Sequence, residues 1–201
     1  PSIPWINSTE LILRIVRLVT PPIEKIDMRE VNDLIYLTDK CSVCLLATYI
    51  KGDITNLRLI IEELSRVHDI VVVAACCIGE DMVDTIDTLK SIPYENDVVF
   101  TKIRNEGYDF GQWYKAIVEL TEDARDKISS ITLVNDSMLI LRPFKCLYEW
   151  GTDSGYDCWG LTQSGTHSYH IQSYFRVFKG IGIRLLFEYI ESLSTKYALS
   201  R

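Results

Sequence analysis

The run NEGYDFGQW, residues 105 to 113, sets two glycines, an aspartate and three aromatic rings into one helical turn and its lead-in. Gly107 and Gly111 permit unusual dihedrals or a close approach of backbone to ligand. Asp109 stands where it either caps the following helix or accepts hydrogen bonds from a ligand's base or sugar. A second constellation, Asn135-Asp136-Ser137, closes an apolar run. An apolar strand ending in a carboxylate puts that charge at the rim of a sheet. There Mg²⁺ or Mn²⁺ with phosphate oxygens can neutralise it, or the same residues form a simple Asx or Ser turn.

Composition removes several other chemistries. A net charge of −7 argues against an electrostatically driven nucleic-acid binder, which needs a basic face to displace counterions. No apolar run approaches the roughly 20 residues that span a bilayer, and charges interrupt the N-terminal apolar stretch, so the reading is a soluble, cytoplasmic chain without a transmembrane segment. Cys41 and Cys44 have CxxC spacing, yet no second CxxC or histidine pair completes a zinc site. Cys44, Cys76 and Cys77 fall in apolar runs, where thiols act as small buried hydrophobes. Neither GxGxxG nor GxxxxGK[ST] occurs, which removes the usual dinucleotide and P-loop phosphate cradles.

The elements that must position these residues follow from periodicity. Residues 1–40 read as a helical lead-in: apolar residues recur at helical spacing from Ser8 to about Leu37, divided by Pro21 and Pro22. Continuous apolar runs at 42–50, 69–77, 97–103 and 130–140 read as strands buried on both faces. Helical patterns lie between them at 55–67, 81–92 and 109–120. In the first of these, Leu57, Ile60, Ile61 and Leu64 share a face. Crossovers of this length make the strands parallel. After Pro143 the composition suggests a loop-laden cover, and a helix over IRLLFEYIESL closes the chain. The fold class is α/β, with a mostly parallel central sheet flanked by helices, over a single domain at 41–201. Ligands bind outside the C-terminal strand ends of such sheets, so Ala47, Thr48 and Tyr49, the NEGYDFG loop and NDS should meet in space.

The motifs NEGYDFGQW, NDS, DCWGLTQS and HIQSYFRVF, in that order across residues 42–190, resemble the rhamnan synthesis protein F family of glycosyltransferases. The strand order is also similar to the wider GT-A glycosyltransferase pattern, a Rossmann-like arrangement, and NDS stands where many GT-A enzymes carry Asp-x-Asp. The resemblance implies transfer of a sugar, L-rhamnose or a related hexose, from a nucleotide-diphosphate donor to a growing glycan acceptor. It implies a donor site built from Ala47, Thr48, Tyr49, Asn105, Gly107, Asp109, Gly111, Asn135, Trp159, Gln172 and Ser173, with Trp113 anchoring the helix beneath. Asp136 would take the diphosphate or its Mg²⁺ or Mn²⁺. Asp157 is the candidate base, because neighbouring Trp159 can stack on a sugar and raise the carboxylate's pKa, with Asp153 and Glu149 as rivals. His170 is a candidate to donate to a phosphate or complete a metal shell, while His167 reads as structural. The missing Asp-x-Asp also leaves room for a catalytically silent binding module, and further domains of a longer polypeptide would supply acceptor specificity.

Overall fold

Four of the apolar runs become parallel strands, and those at 42–50 and 69–77 are hydrophobic without alternation and covered on both faces. The computed structural model describes residues 26–50, 53–77, 82–104, 107–165, 170–172 and 174–199; for 77, 82, 83, 170 and 194–199 it describes the backbone alone. Much of the expected lead-in, with Pro21 and Pro22, lies outside these residues. Within them the chain begins with helix α1 (Arg29–Tyr36), which buries Val31 and Ile35.

Strand β1 (Cys41–Ile50), α2 (Thr55–Ser65), β2 (Ile70–Cys77), α3 (Met82–Lys90), β3 (Asp97–Ile103) and α4 (Tyr108–Val118) then alternate. A short helix α5 (Glu122–Lys127), capped by the Thr121 hydroxyl, leads into β4 (Ile128–Asn135). Next come α6 (Lys145–Asp153), β5 (Cys158–Gly160), a hairpin of β6 (Gln163–Ser164) and β7 (His170–Ile171), β8 (Phe175–Lys179) and α7 (Ile181–Leu199). Six strands form one sheet in the order β3-β2-β1-β4-β8-β5. The first four are parallel; β8 runs antiparallel to β4 and to β5.

Alternate residues of each strand feed two cores. One holds Leu45, Val72 and Leu133 under α1, α4 and α7; the other holds Leu46, Val73 and Val134 under α2 and α3. Cys41, Cys44 and Cys76 are buried free thiols, as their apolar settings imply.

Two expectations need correction. The fourth strand ends at Asn135 instead of 140: Met138 and Ile140 still pack on the core, but Leu139 and Leu141 are exposed and the segment pairs with no strand. The region after Pro143 is more regular than loops, since β8 and β5 extend the sheet past β4.

Candidate functional site

The strand order reverses at β1: β2 and β3 lie on one side of it, β4 on the other. Pairing between β1 and β4 runs to Ala47 opposite Asn135 and stops, while β1 stays paired with β2 through Ile50. A crevice therefore opens at the C-terminal ends of β1 and β4, where open α/β sheets bind ligands.

The NDS segment spans that opening. Asp136 Oδ2 accepts from the Thr48 hydroxyl at 2.6 Å and from the Tyr49 N–H at 3.0 Å, an amide that has lost its β4 partner. Asn135 turns to the other face, donating through Nδ2 to Asp109 Oδ2 at 2.8 Å and accepting from the Ser137 N–H at 3.2 Å. The Asx turn is thus made by Asn135, which frees Asp136 to reach across.

Helix α4 supplies the opposite wall. Gly107 begins it with φ 81°, a left-handed conformation that favours glycine, and Tyr108 follows with φ 57°. Such a conformation in a non-glycine residue stores about 1–3 kcal/mol and places an exposed ring at the mouth of the crevice. Asp109 is no helix cap in the usual sense. Its Oδ1 accepts from the adjacent Phe110 N–H at 3.0 Å, and its other oxygen is held by Asn135. One turn on, buried Gln112 accepts from the Thr48 N–H at 3.1 Å. Below it the Trp113 indole N–H is shared between the carbonyls of Leu45 and Val134, at 3.0 and 3.1 Å. Trp113 is the expected anchor, tying α4 to the two strands that flank the crevice.

The third wall comes from β8 and the β6–β7 hairpin. Asn135 N–H donates to the Tyr174 carbonyl at 3.2 Å, which brings Gln172 and the backbone of His170 to the same end of the sheet. Gln172 is bound to Thr162 through both its N–H and its side chain. Arg176, on the face shared with Leu133, donates from Nη2 to the Ile171 carbonyl at 2.6 Å and from Nε to the Gln172 carbonyl at 3.2 Å. Its guanidinium lies 5.8 Å from the Phe110 ring centroid. Burial pulls its pKa down from the usual arginine range, and the neighbouring Cys158 and Asp109 oppose that shift.

The structure gathers Ala47, Thr48, Tyr49, Gly107, Asp109, Gly111, Asn135, Asp136 and Gln172 around this crevice or the elements that wall it. Asn105, Ser173 and His167, and the side chain of His170, lie outside what is described. Asp157 and Trp159 do not join the group. Cys158 pairs with Phe178 and Phe178 with Ile131, so Asp157 sits level with the start of β4, at the opposite end of the sheet from Asp136. The six steps along the chain from Ser130 to Asp136 make that separation about 20 Å at ~3.3 Å per step. Asp157 instead accepts from the Ile181 N–H at 3.3 Å, at the start of α7. Its rivals fare no better: α6 packs at the same lower end, where Tyr148 meets Ser130 and Lys179 bonds the Thr152 carbonyl, so Asp153 and Glu149 are equally remote. The Trp159 ring is buried against Gly151, Tyr148 and Phe175 and presents no face to a sugar.

Gln112 and Arg176 are site residues that the sequence reading passed over. The signal for Arg176 was an arginine inside the apolar strand FRVF.

Comparison with known proteins now has a structural frame. The chain is similar to the crystal structure of a 4-diphosphocytidyl-2C-methyl-D-erythritol synthase from Anaerococcus prevotii DSM 20548, at 12% identity and TM-score 0.51 over 78% of each chain. A second, more distant likeness is to HddC from Yersinia pseudotuberculosis, at 15% identity and TM-score 0.43, covering 69% of this chain and 76% of that one. At these identities the first likeness speaks to the Rossmann-like α/β fold alone. No curated protein matches the chain. A family model described as rhamnan synthesis protein F matches residues 64–186.

Proposed function

The chain belongs to the rhamnan synthesis protein F family, and from that premise we propose that it transfers a sugar, rhamnose or a related hexose, from a nucleotide-diphosphate donor to a growing glycan. The observation that carries this reading is Asp136, held by Thr48 and Tyr49 across the crevice where β1 and β4 part. The donor nucleotide lies along Gly107–Asp109, where Gly107, having no side chain, lets the backbone come close. The exposed Tyr108 ring takes the stacking role expected of Trp159.

Transfer requires a held diphosphate, stabilisation of the charge on the departing nucleotide and an acceptor hydroxyl brought to the anomeric carbon. The second oxygen of Asp136 has no hydrogen-bond partner among the described residues and can face the diphosphate. Among the described residues no three metal-ligating side chains come together. Mg²⁺ or Mn²⁺ would be held here by the Asp136 carboxylate, with the donor's own phosphates supplying further oxygens, a common arrangement for Mg²⁺. When bound, the cation would neutralise charge on the leaving diphosphate. Asn135 holds Asp109 in place, and Gln112 fixes the end of β1 through the Thr48 amide. His170, on β7 at the same rim, is the residue we assign to proton or phosphate contact.

One observation favours the second reading, a silent binding module: Asp157, Asp153 and Glu149 all lie at the far end of the sheet. A thermal-shift panel of nucleotide sugars, with and without Mn²⁺, followed by donor hydrolysis and transfer assays, separates the two. A ligand that binds only the native state raises its melting temperature. Stabilisation with turnover supports the transferase; stabilisation without turnover supports the silent module; no stabilisation by any donor overturns both.

A further inference from the structure

We infer that Arg176 is the phosphate-binding cation of the crevice, contacting the anionic diphosphate of the donor; this rests on the nucleotide-sugar reading and adds a residue to it. Its place in the strand is costly. β8 feeds Phe175 and Val177 into one core, and Phe178 packs against the other. The bonds from Arg176 to the hairpin carbonyls need a donor but not a charge, and taking a guanidinium out of water is costly unless an anion or good hydrogen bonds offset it.

Among the described residues the charge is offset only in part, by Asp109 and Cys158 acting against the effect of burial. Among the described residues no carboxylate lies within ion-pairing distance of Arg176. Both of its hydrogen-bond partners are neutral carbonyls, those of Ile171 and Gln172. Asp109, which acts on Arg176 through its charge, has its oxygens committed to Asn135 and to the Phe110 N–H. Two N–H groups of the guanidinium are spent on the hairpin, and the remainder of the fork keeps its donors. The hairpin carbonyls and the Phe110 ring fix the plane of that fork, so little side-chain freedom remains to be lost on meeting a phosphate.

The chemistry of the crevice asks for such a group. Asp136 and Asp109 both project near the opening in a chain of net charge −7, and a diphosphate entering there meets repulsion. A fixed cation beside the Asn135–Asp109 pair offsets it whether or not a metal ion accompanies the donor. An arginine fork matches phosphate oxygens with paired, charge-assisted bonds.

The test is calorimetric titration of UDP, GDP, CDP, dTDP and ADP into the wild type, Arg176→Met, Arg176→Gln and Arg176→Lys, in EDTA and again in Mg²⁺. Arg184→Met, on α7 where Arg184 faces Glu188, controls for net charge. The diphosphate that binds the wild type is expected to bind Arg176→Met about 10- to 100-fold more weakly in both buffers, with partial recovery in Arg176→Lys and no change in Arg184→Met. The corresponding nucleoside monophosphate should lose less than the diphosphate. Should Arg176→Met fail to fold, Arg176→Gln decides, because it keeps a donor for the hairpin carbonyls while removing the charge. Diphosphate affinity within threefold of wild type in the folded neutral variant overturns the inference alone. A wild type that binds none of the five overturns the reading beneath it.

Discussion

Replacing Asp157 should lower stability slightly and leave donor binding and turnover alone. The carboxylate makes one side-chain hydrogen bond, to the Ile181 N–H at 3.3 Å, and lends its charge to the N-terminal end of α7. Loss of a helix-start acceptor costs about 0.5–2 kcal/mol, and the length of this bond argues for the lower half of that range. Asp157→Ala is therefore expected to lose about 1 kcal/mol. Asp157→Asn keeps an acceptor and forfeits mainly the charge–dipole interaction, about 0.3–1 kcal/mol. At about 20 Å from Asp136, one unit charge acts on another with about 0.2 kcal/mol in water, and physiological salt reduces this further. Donor affinity and turnover should stay within twofold of wild type. Urea denaturation of both variants, beside a donor titration and a transfer assay, measures all three quantities. A general base contributes about 10²–10⁴-fold. A fall of that size in Asp157→Asn with an unchanged urea midpoint would refute the placement of Asp157 outside the chemistry.

Asp136→Asn should abolish transfer at nearly unchanged stability, because the amide oxygen can still accept from Thr48 and Tyr49 while the charge facing the diphosphate is gone; a transfer assay beside a thermal melt reads both. His68 is buried with no hydrogen-bond partner for either ring nitrogen among the described residues, and burial depresses its pKa to about 3 against ~6.5 in the unfolded chain. Its contribution is fully present above pH 6.5 and is lost as pH falls toward 3, amounting to about 2 kcal/mol by pH 5; urea midpoints from pH 7 to 4 should show this slope, and His68→Phe should flatten it. Gly151→Ala would set a methyl 2.4 Å from the Trp159 ring, costing about 1–3 kcal/mol in a melt while leaving donor affinity intact, since that ring belongs to the core.

The parallel half of the sheet was legible because its signal is local. A strand buried on both faces must be apolar throughout, and SVCLLATYI and DIVVVAACC could satisfy little else. The meeting of Thr48, Asp109 and Asp136 followed from topology, since parallel strands end on one rim. Polarity beyond β4 was not legible in the same way. DCWG and FRVFK are short, and their spacing does not say which runs with β4 and which against it. Asp157 was therefore expected beside the site on the strength of its neighbour Trp159, when β5 carries it to the opposite end. The overlong fourth strand has a similar origin: MLIL stays apolar throughout after its backbone has left the ladder. Arg176 escaped notice because an isolated arginine is usually exposed, and its burial depends on α4 and the hairpin closing over β8.

The central claim is that the donor sits where β1 and β4 part, and a crystal of the protein grown with the best-binding nucleoside diphosphate and Mn²⁺ tests it most directly. The account predicts phosphate density between Asp136 and Arg176, with the nucleoside along Gly107–Asp109. Density at the lower end of the sheet instead, beside Asp157 and the start of α7, would contradict it.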